Sequence, residues 1–312
     1  MSTTRLYAIA TTVSDLDRSR EFYTQALGFS PVSDIIIEDE SFCKLAQLPP
    51  TRVRLATLKL GDEHIELMQY LDIAPQSIPE DSKSNDLWFQ HMAIVVRDMS
   101  QAYGRLQAFP IQSISTQPQT IPEDNPMAGG VQAFKFRDID RHSLELIWFP
   151  PDKGSARWQQ PGEALFLGID HTAITVSSTD ASIAFYRDLL GMTVAGGNLN
   201  SGEVQAQLDG LPVAEVQVTP LQPAETGAGM ELLDYIKPGT GRSVPDHWRA
   251  SDLPHRHTVL AVDSPEEILD KLRQRGAVVV SPQPIDLPEA YRYSRGSLVN
   301  DPDGHSLLIV SP

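Results

Sequence analysis

The chain has 312 residues, 41% hydrophobic, 21% charged and 7% aromatic, an ordinary globular composition with length for about two domains. Its formal charge of −16 argues against nucleic acid or an anionic membrane as partner, since either needs a positive face. The lone Cys43 excludes an intrachain disulfide, and neither a signal-peptide core nor a run of about 18 apolar residues occurs. The expectation is a cytoplasmic protein acting on a small molecule, as a monomer or weak homodimer.

In chain order, YAIATTVSDLDRSREFYTQALG from Tyr7 reads as a strand and then a helix. Ser14 or Asp15 can cap that helix, and Phe22, Tyr23, Ala26 and Leu27 fall on one face. Strand-like runs follow, ending in ELMQY at Glu66–Tyr70. From His91 the pattern recurs: HMAIVV, Asp98 as cap, a shorter helix, and strands ending in LELIWF. The segment Pro150 to Glu163 is rich in Pro, Gly and polar residues and reads as a linker. Beyond it the chain repeats itself. ATTVSDLDRSREFYTQALGF from Ala10 aligns with AITVSSTDASIAFYRDLLGM from Ala173 at an offset of 163. ELMQY matches ELLDY at 165, His91 matches His257 at 166, and DIDRHSLEL matches DPDGHSLLI at 163. Offsets this stable indicate a duplicated half, and each half divides again. The unit is strand–helix–strands, and it occurs four times.

At one repeated position, the first strands carry Ala8, His91, His171 and His257. At a second, the last strands carry Glu66, Glu145, Glu231 and Leu308. His and Glu are ligands for divalent metals. A carboxylate within an apolar strand is costly unless it is paired or meets a cation. His142 and His305 fall in turns and read as structural. His64 and His255 share a face with Glu66 and His257, and Tyr70 and Tyr235 share a face with their glutamates; these read as cavity lining. Cys43 reads as inert.

With a first-strand His, an FY…LGF/M helix, a DPDGH-type turn and a last-strand Glu, the chain resembles the vicinal oxygen chelate superfamily. That superfamily includes glyoxalase I, methylmalonyl-CoA epimerase, extradiol dioxygenases and the fosfomycin and bleomycin resistance proteins. The resemblance covers residues 5–312. It implies an α+β fold of four βαβββ modules in two tandem glyoxalase-like domains, the modules paired into cup-shaped antiparallel sheets. The domains would be 1–152 (modules about 5–72 and 86–150) and 164–312 (modules about 166–238 and 252–312), with a linker at 153–163. Four positions at the base of a cup would hold one divalent ion, with Fe, Mn, Ni, Co or Zn all suited to the donors.

Two pairings remain open. Pairing within halves gives two three-ligand sites, Glu66–His91–Glu145 and His171–Glu231–His257. Pairing the middle modules gives one complete set, His91, Glu145, His171 and Glu231. It leaves Glu66 and His257 in a degenerate cup beside Ala8 and Leu308. Concentrating both losses in one cup is the simpler account, and linker lengths do not discriminate. The resemblance implies a metal-dependent lyase or isomerase that chelates vicinal oxygens and stabilises an enediolate, with Glu145 or Glu231 as base. The alternatives are an Fe(II) extradiol-type dioxygenase and a non-catalytic small-molecule (antibiotic) binding protein. Arg5, Arg54, Arg137 and Arg242 are available to grip the carboxylates of a glutathione adduct.

Overall fold

A computed structural model describes residues 3–281 and 283–311. Each module opens with a strand: Thr3–Thr12, Gln90–Val96, Phe166–Val176 and Arg256–Val262. A helix follows each: Leu16–Leu27, Met99–Leu106, Thr179–Ile183 continuing as the π-helical turn Ala184–Leu189, and Pro265–Gln274. Local chemistry starts these helices. Asp15, Asp98 and Ser178 each accept a hydrogen bond from the backbone N–H three residues on, satisfying a donor that the helix itself cannot. The first helix stops at Gly28, whose φ of 75° suits a residue without a Cβ. No helix among the described residues is long and apolar enough to cross a membrane.

Each module closes with Glu63–Tyr70, Ser143–Trp148, Gly229–Lys237 or Ser306–Val310. The closing strand pairs in parallel with the opening strand of its own module, and the other pairings are antiparallel. The chain's path explains this. The helix reverses direction, and two further antiparallel strands restore it, so the closing strand runs the same way as the opening one. The sheets are thus mixed, with antiparallel contacts predominating.

Opening strands pair with one another between modules. Thr3–Thr12 lies beside Arg256–Val262, and Gln90–Val96 beside Phe166–Val176, all antiparallel. The first and fourth modules therefore build a 9-stranded sheet, and the second and third a 10-stranded sheet. We call the concave faces of these sheets the outer and the central cup. Each sheet draws one module from residues 1–152 and one from 164–312. The helix-side faces of both sheets share one apolar core, which includes Leu16, Phe22, Phe134, Phe185 and Leu269.

Two matching polar latches cross that core. Asp138 accepts the Tyr23 hydroxyl at 3.1 Å and the His142 Nδ1–H at 3.1 Å, while its other oxygen takes the N–H groups of Asp140 and His142. Asp301 repeats the arrangement with Tyr186 at 3.0 Å, His305 at 2.9 Å and the N–H groups of Asp303 and His305. Each tyrosine sits on a helix over one sheet, and its aspartate begins a turn of the other. The latches therefore join the sheets and occupy the two turn histidines structurally. Tyr23→Phe and Tyr186→Phe each delete one hydrogen bond to a buried carboxylate. Each is expected to cost roughly 1.5–3 kcal/mol, read as a lower urea midpoint at unchanged slope.

Candidate metal centre

The register of the central sheet builds two rows of residues across its floor. In one, Ala93 pairs with Glu145 on one side and His171 on the other. In the second, Ala173 pairs with His91 and Glu231. Paired residues project to the same face, and the alanines leave the space between the larger side chains open. Ligand atoms of His91, Glu145 and His171 lie within 4.8 Å of one another, all buried. Glu145 Oε2 is 3.1 Å from His91 Nε2 and 3.7 Å from His171 Nε2. Glu231 Oε2 lies beside this group, 3.4 Å from His171 Nε2.

These atoms are close without being hydrogen-bonded. His91 Nε2 and His171 Nε2 are buried and have no hydrogen-bond partner, a costly state for a polar atom unless something else meets the lone pair. His171 Nδ1 faces Asp170 Oδ2 at 3.0 Å, and Asp170 Oδ1 accepts the Trp158 indole N–H at 2.7 Å. Once the ring gives up its second proton, as metal binding requires, Nδ1 stays the donor to Asp170 and Nε2 presents its lone pair to the centre, the arrangement that orients metal-binding histidines. The buried His91, Glu145 and His171 fit a divalent cation, with the Glu231 carboxylate beside them.

The charges around the group are uneven. Burial pushes His91 down, to about 4. Burial also opposes protonation of His171, but Glu231, Asp170 and Glu145 outweigh it and hold that ring up, at about 9. Burial would raise Glu145, yet His91 and Lys135 hold it well below the usual carboxylate range. Burial raises Glu231, with Glu145 and Asp170 adding to the effect against the pull of His171. Above the group lies a cavity of about 250 Å³, lined by all four side chains together with Lys135, Asp170 and Gln205.

A sequence profile of the Glyoxalase/Bleomycin resistance protein/Dioxygenase superfamily matches residues 5–146 and 168–309. The chain belongs to this superfamily. It is 31% identical over 150 residues to a 2-epi-5-epi-valiolone epimerase of an Actinomyces species, a match spanning 46% of this chain and 79% of that protein. Its fold is similar to glyoxalase I from Zea mays, with a TM-score of 0.66 at 16% identity over 98% of this chain and 92% of that one. A candidate dioxygenase from Bacillus subtilis has a TM-score of 0.60 at 15% identity over 99% of this chain and 86% of that one.

The outer cup uses the same superfamily floor differently. One row keeps Glu66 and His257 on either side of Ala10; the other reads Ala8, Val259, Leu308. Among the described residues, no third ligand joins Glu66 or His257. An apolar cluster including Phe42, Tyr70, Val259, Tyr291 and Leu308 fills the cup. Glu66 Oε2 accepts the Tyr291 hydroxyl at 2.8 Å, and His257 Nδ1 lies 3.2 Å from His255 Nε2. Cys43 is buried in the same cluster. Of the four arginines noted in the sequence, none lines the central cavity. Arg54 is paired with Asp17 and Asp34, and Arg242 with Asp81 and Asp86. Arg137 donates to the Ser82 carbonyl, and Arg5 lies over the Tyr7 ring.

Sequence reasoning passed over Asp170, Trp158, Lys135 and Asp209. Asp170 directly precedes His171, and Lys135 is the one charge in the run AFKF; both were visible signals. Asp209 comes from a helix of another module, and nothing local in the sequence marks it.

Two outcomes follow from this geometry. His91→Ala and His171→Ala should each weaken retention of a divalent ion by at least roughly 10–100-fold, the loss typical even for groups that only support ligands. His257→Ala should leave metal content near that of the parent, as elemental analysis after dialysis would show. The second outcome concerns Glu66, whose burial pushes its carboxyl from an ordinary 4.5 up to about 7 despite the Tyr291 hydrogen bond. Between those pH values the folded chain holds a proton that the unfolded chain has lost. Stability therefore falls as pH rises through that window, by roughly 3 kcal/mol in all, and levels off above it. Glu66→Gln should remove this part of the slope, so that chemical denaturation at pH 8 finds the variant more stable than the parent.

Proposed function

We propose that the protein is a divalent-metal-dependent enzyme that moves a proton on the carbon beside a carbonyl of a small substrate with two adjacent oxygens, as an epimerase or another isomerase, or a lyase. The observation that carries this is the grouping of His91, Glu145, His171 and Glu231, two of them with unpartnered Nε2 atoms, at the floor of a cavity. These residues would hold the ion, which would supply a Lewis acid for the substrate carbonyl. Fe, Mn, Ni, Co and Zn all suit the donor set.

The two glutamates are not equivalent. The Glu145 side chain is 6% exposed and stands beside His91, whereas that of Glu231 is 26% exposed. Glu231 faces Pro220 across the sheet, where Glu145 faces Lys135. A carboxylate free to turn toward the cavity is the better general base, so we assign Glu231 to remove the proton and Glu145 to remain a fixed ligand. The epimerase relative supports proton transfer as the chemistry. The engagement of Arg54, Arg137 and Arg242 elsewhere speaks against a glutathione adduct held by arginines. One chain supplies all four ligands, which supports function as a monomer or weak homodimer.

A second reading keeps one specific observation in its favour: His91, Glu145 and His171 form the tighter subset, and two histidines with one carboxylate are the donors of Fe(II) oxygenases. Both readings are tested together. The protein is loaded with each metal in turn and incubated with 2-epi-5-epi-valiolone in D₂O. Deuterium uptake at carbon that depends on metal and falls roughly 10²–10⁴-fold in Glu231→Gln supports proton transfer. Oxygen consumption restricted to the iron form, without deuterium uptake, would replace it with the oxygenase.

A further inference from the structure

Lys135 is a buried cation for which the metal-ligand set has no use. It lies on the strand Gln132–Arg137, is 3% exposed, and pairs across the sheet with Glu145. The corresponding partners of Glu66, Glu231 and Leu308 are Thr57, Pro220 and Leu298. Of the four equivalent positions, only the one beside Glu145 carries a charge.

That charge is held in place from another module. Lys135 Nζ donates to Asp209 Oδ1 at 2.6 Å, and Asp209 Oδ2 accepts the Gln205 Nε2–H at 2.7 Å. Asp209 ends the helix Gly202–Asp209 and is 1% exposed. Burying an ammonium is costly unless it is paired and hydrogen-bonded. The carboxylate offsets that cost, and with Glu145 it keeps the lysine protonated against burial. An ammonium has three N–H groups. One meets Asp209, and the others have no acceptor among the described residues; the Phe89 ring centroid lies 6.0 Å from Nζ. Lys135 also lines the cavity above the four ligand-type side chains.

We propose that Lys135, fixed by Asp209, is a second catalytic electrophile: its unused N–H groups bond the substrate oxygen on which negative charge develops as Glu231 takes the carbon-bound proton. In that step the C–H bond breaks, its proton moves to a Glu231 oxygen, and the electron pair passes through the carbonyl to oxygen. Lys135 keeps its own protons throughout. A cation already oriented by a buried carboxylate needs little reorganisation to meet that charge. This inference rests on the central cup being a metal site.

The test uses the full chain loaded with cobalt and acetohydroxamate as probe, an anion with two adjacent oxygens, followed by the visible spectrum of the cobalt. The double variant Lys135→Met, Asp209→Asn removes both charges together. It leaves the net charge unchanged and strands no carboxylate at position 209, while Glu145, which loses Lys135 as a neighbour, still faces the cobalt. It should keep the cobalt content of the parent and bind acetohydroxamate about 10–100-fold more weakly, the range for a hydrogen bond to a charged group. Lys135→Arg should recover part of the affinity. Unchanged acetohydroxamate affinity in the double variant would overturn the proposal, and so would loss of its cobalt, which would make the pair a support for the ligands. Failure of the parent chain itself to bind cobalt would instead sink the metal reading.

Discussion

A ligand row in this fold spans three strands, and its middle residue must be small. In the central cup, Ala93 stands between Glu145 and His171, and Ala173 between His91 and Glu231. A methyl group there lets the flanking side chains lean over the strand and meet. The antiparallel register of Gln90–Val96 against Phe166–Val176 sets the two rows two residues apart, so His91, Glu145 and His171 meet, with Glu231 beside His171. A one-residue slip of any of these strands would send the residue it contributes to the helix side of the sheet. The outer cup shows the alternative: with Val259 at the equivalent of Ala173, the row from Ala8 to Leu308 packs as core.

Burying several ionisable groups in one place is opposed by desolvation. The central cup meets that opposition with neighbours around each group. Asp170 and the indole of Trp158 orient His171, and Trp158 belongs to the segment joining the two sequence halves. The same segment places Arg157 against Glu63 at the start of the closing strand of the first module, tying the outer sheet to the support of His171. In the outer cup, where two of the ligand positions are apolar, the remaining carboxyl is held by a tyrosine hydroxyl and keeps its proton to near neutral pH. One backbone thus carries two electrostatic solutions: charges opposed across a cavity, and a neutral acid within a packed core.

The four-module organisation was legible because strand and helix periods recur at nearly fixed offsets, and the ligand-type residues stood out because each fell at a repeated position. Caps such as Asp15 and Asp98 were legible for the same local reason. The choice between pairings was not a local property. Tyr70 to His91 and Phe149 to His171 are similar in length, so either partner lay within reach. What decides it is the match of whole opening strands, and only the uneven distribution of Ala8 and Leu308 hinted at the outcome. The filling of the outer cup by Tyr291 and Phe42 depends on distant segments, as does the meeting of Lys135 with Asp209, 74 residues apart. Pair chemistry of that kind leaves no periodic trace.

The pseudo-twofold relation of the central cup explains why such a pair matters. His91 and Glu231 are related to His171 and Glu145 by exchange of the second and third modules, and identical modules would make the two glutamates identical in environment. Two differences remove that equality. Lys135 faces Glu145 where Pro220 faces Glu231, and Asp170 precedes His171 where Gln90 precedes His91. Glu145 has the Lys135 ammonium across the sheet and Glu231 is left more exposed, and the proposed division between fixed ligand and mobile base rests on environments that push two like groups apart. A dimer of identical two-module chains could not draw that distinction in its resting state. Joining the modules in a single chain allows each copy of the ligand set its own neighbours.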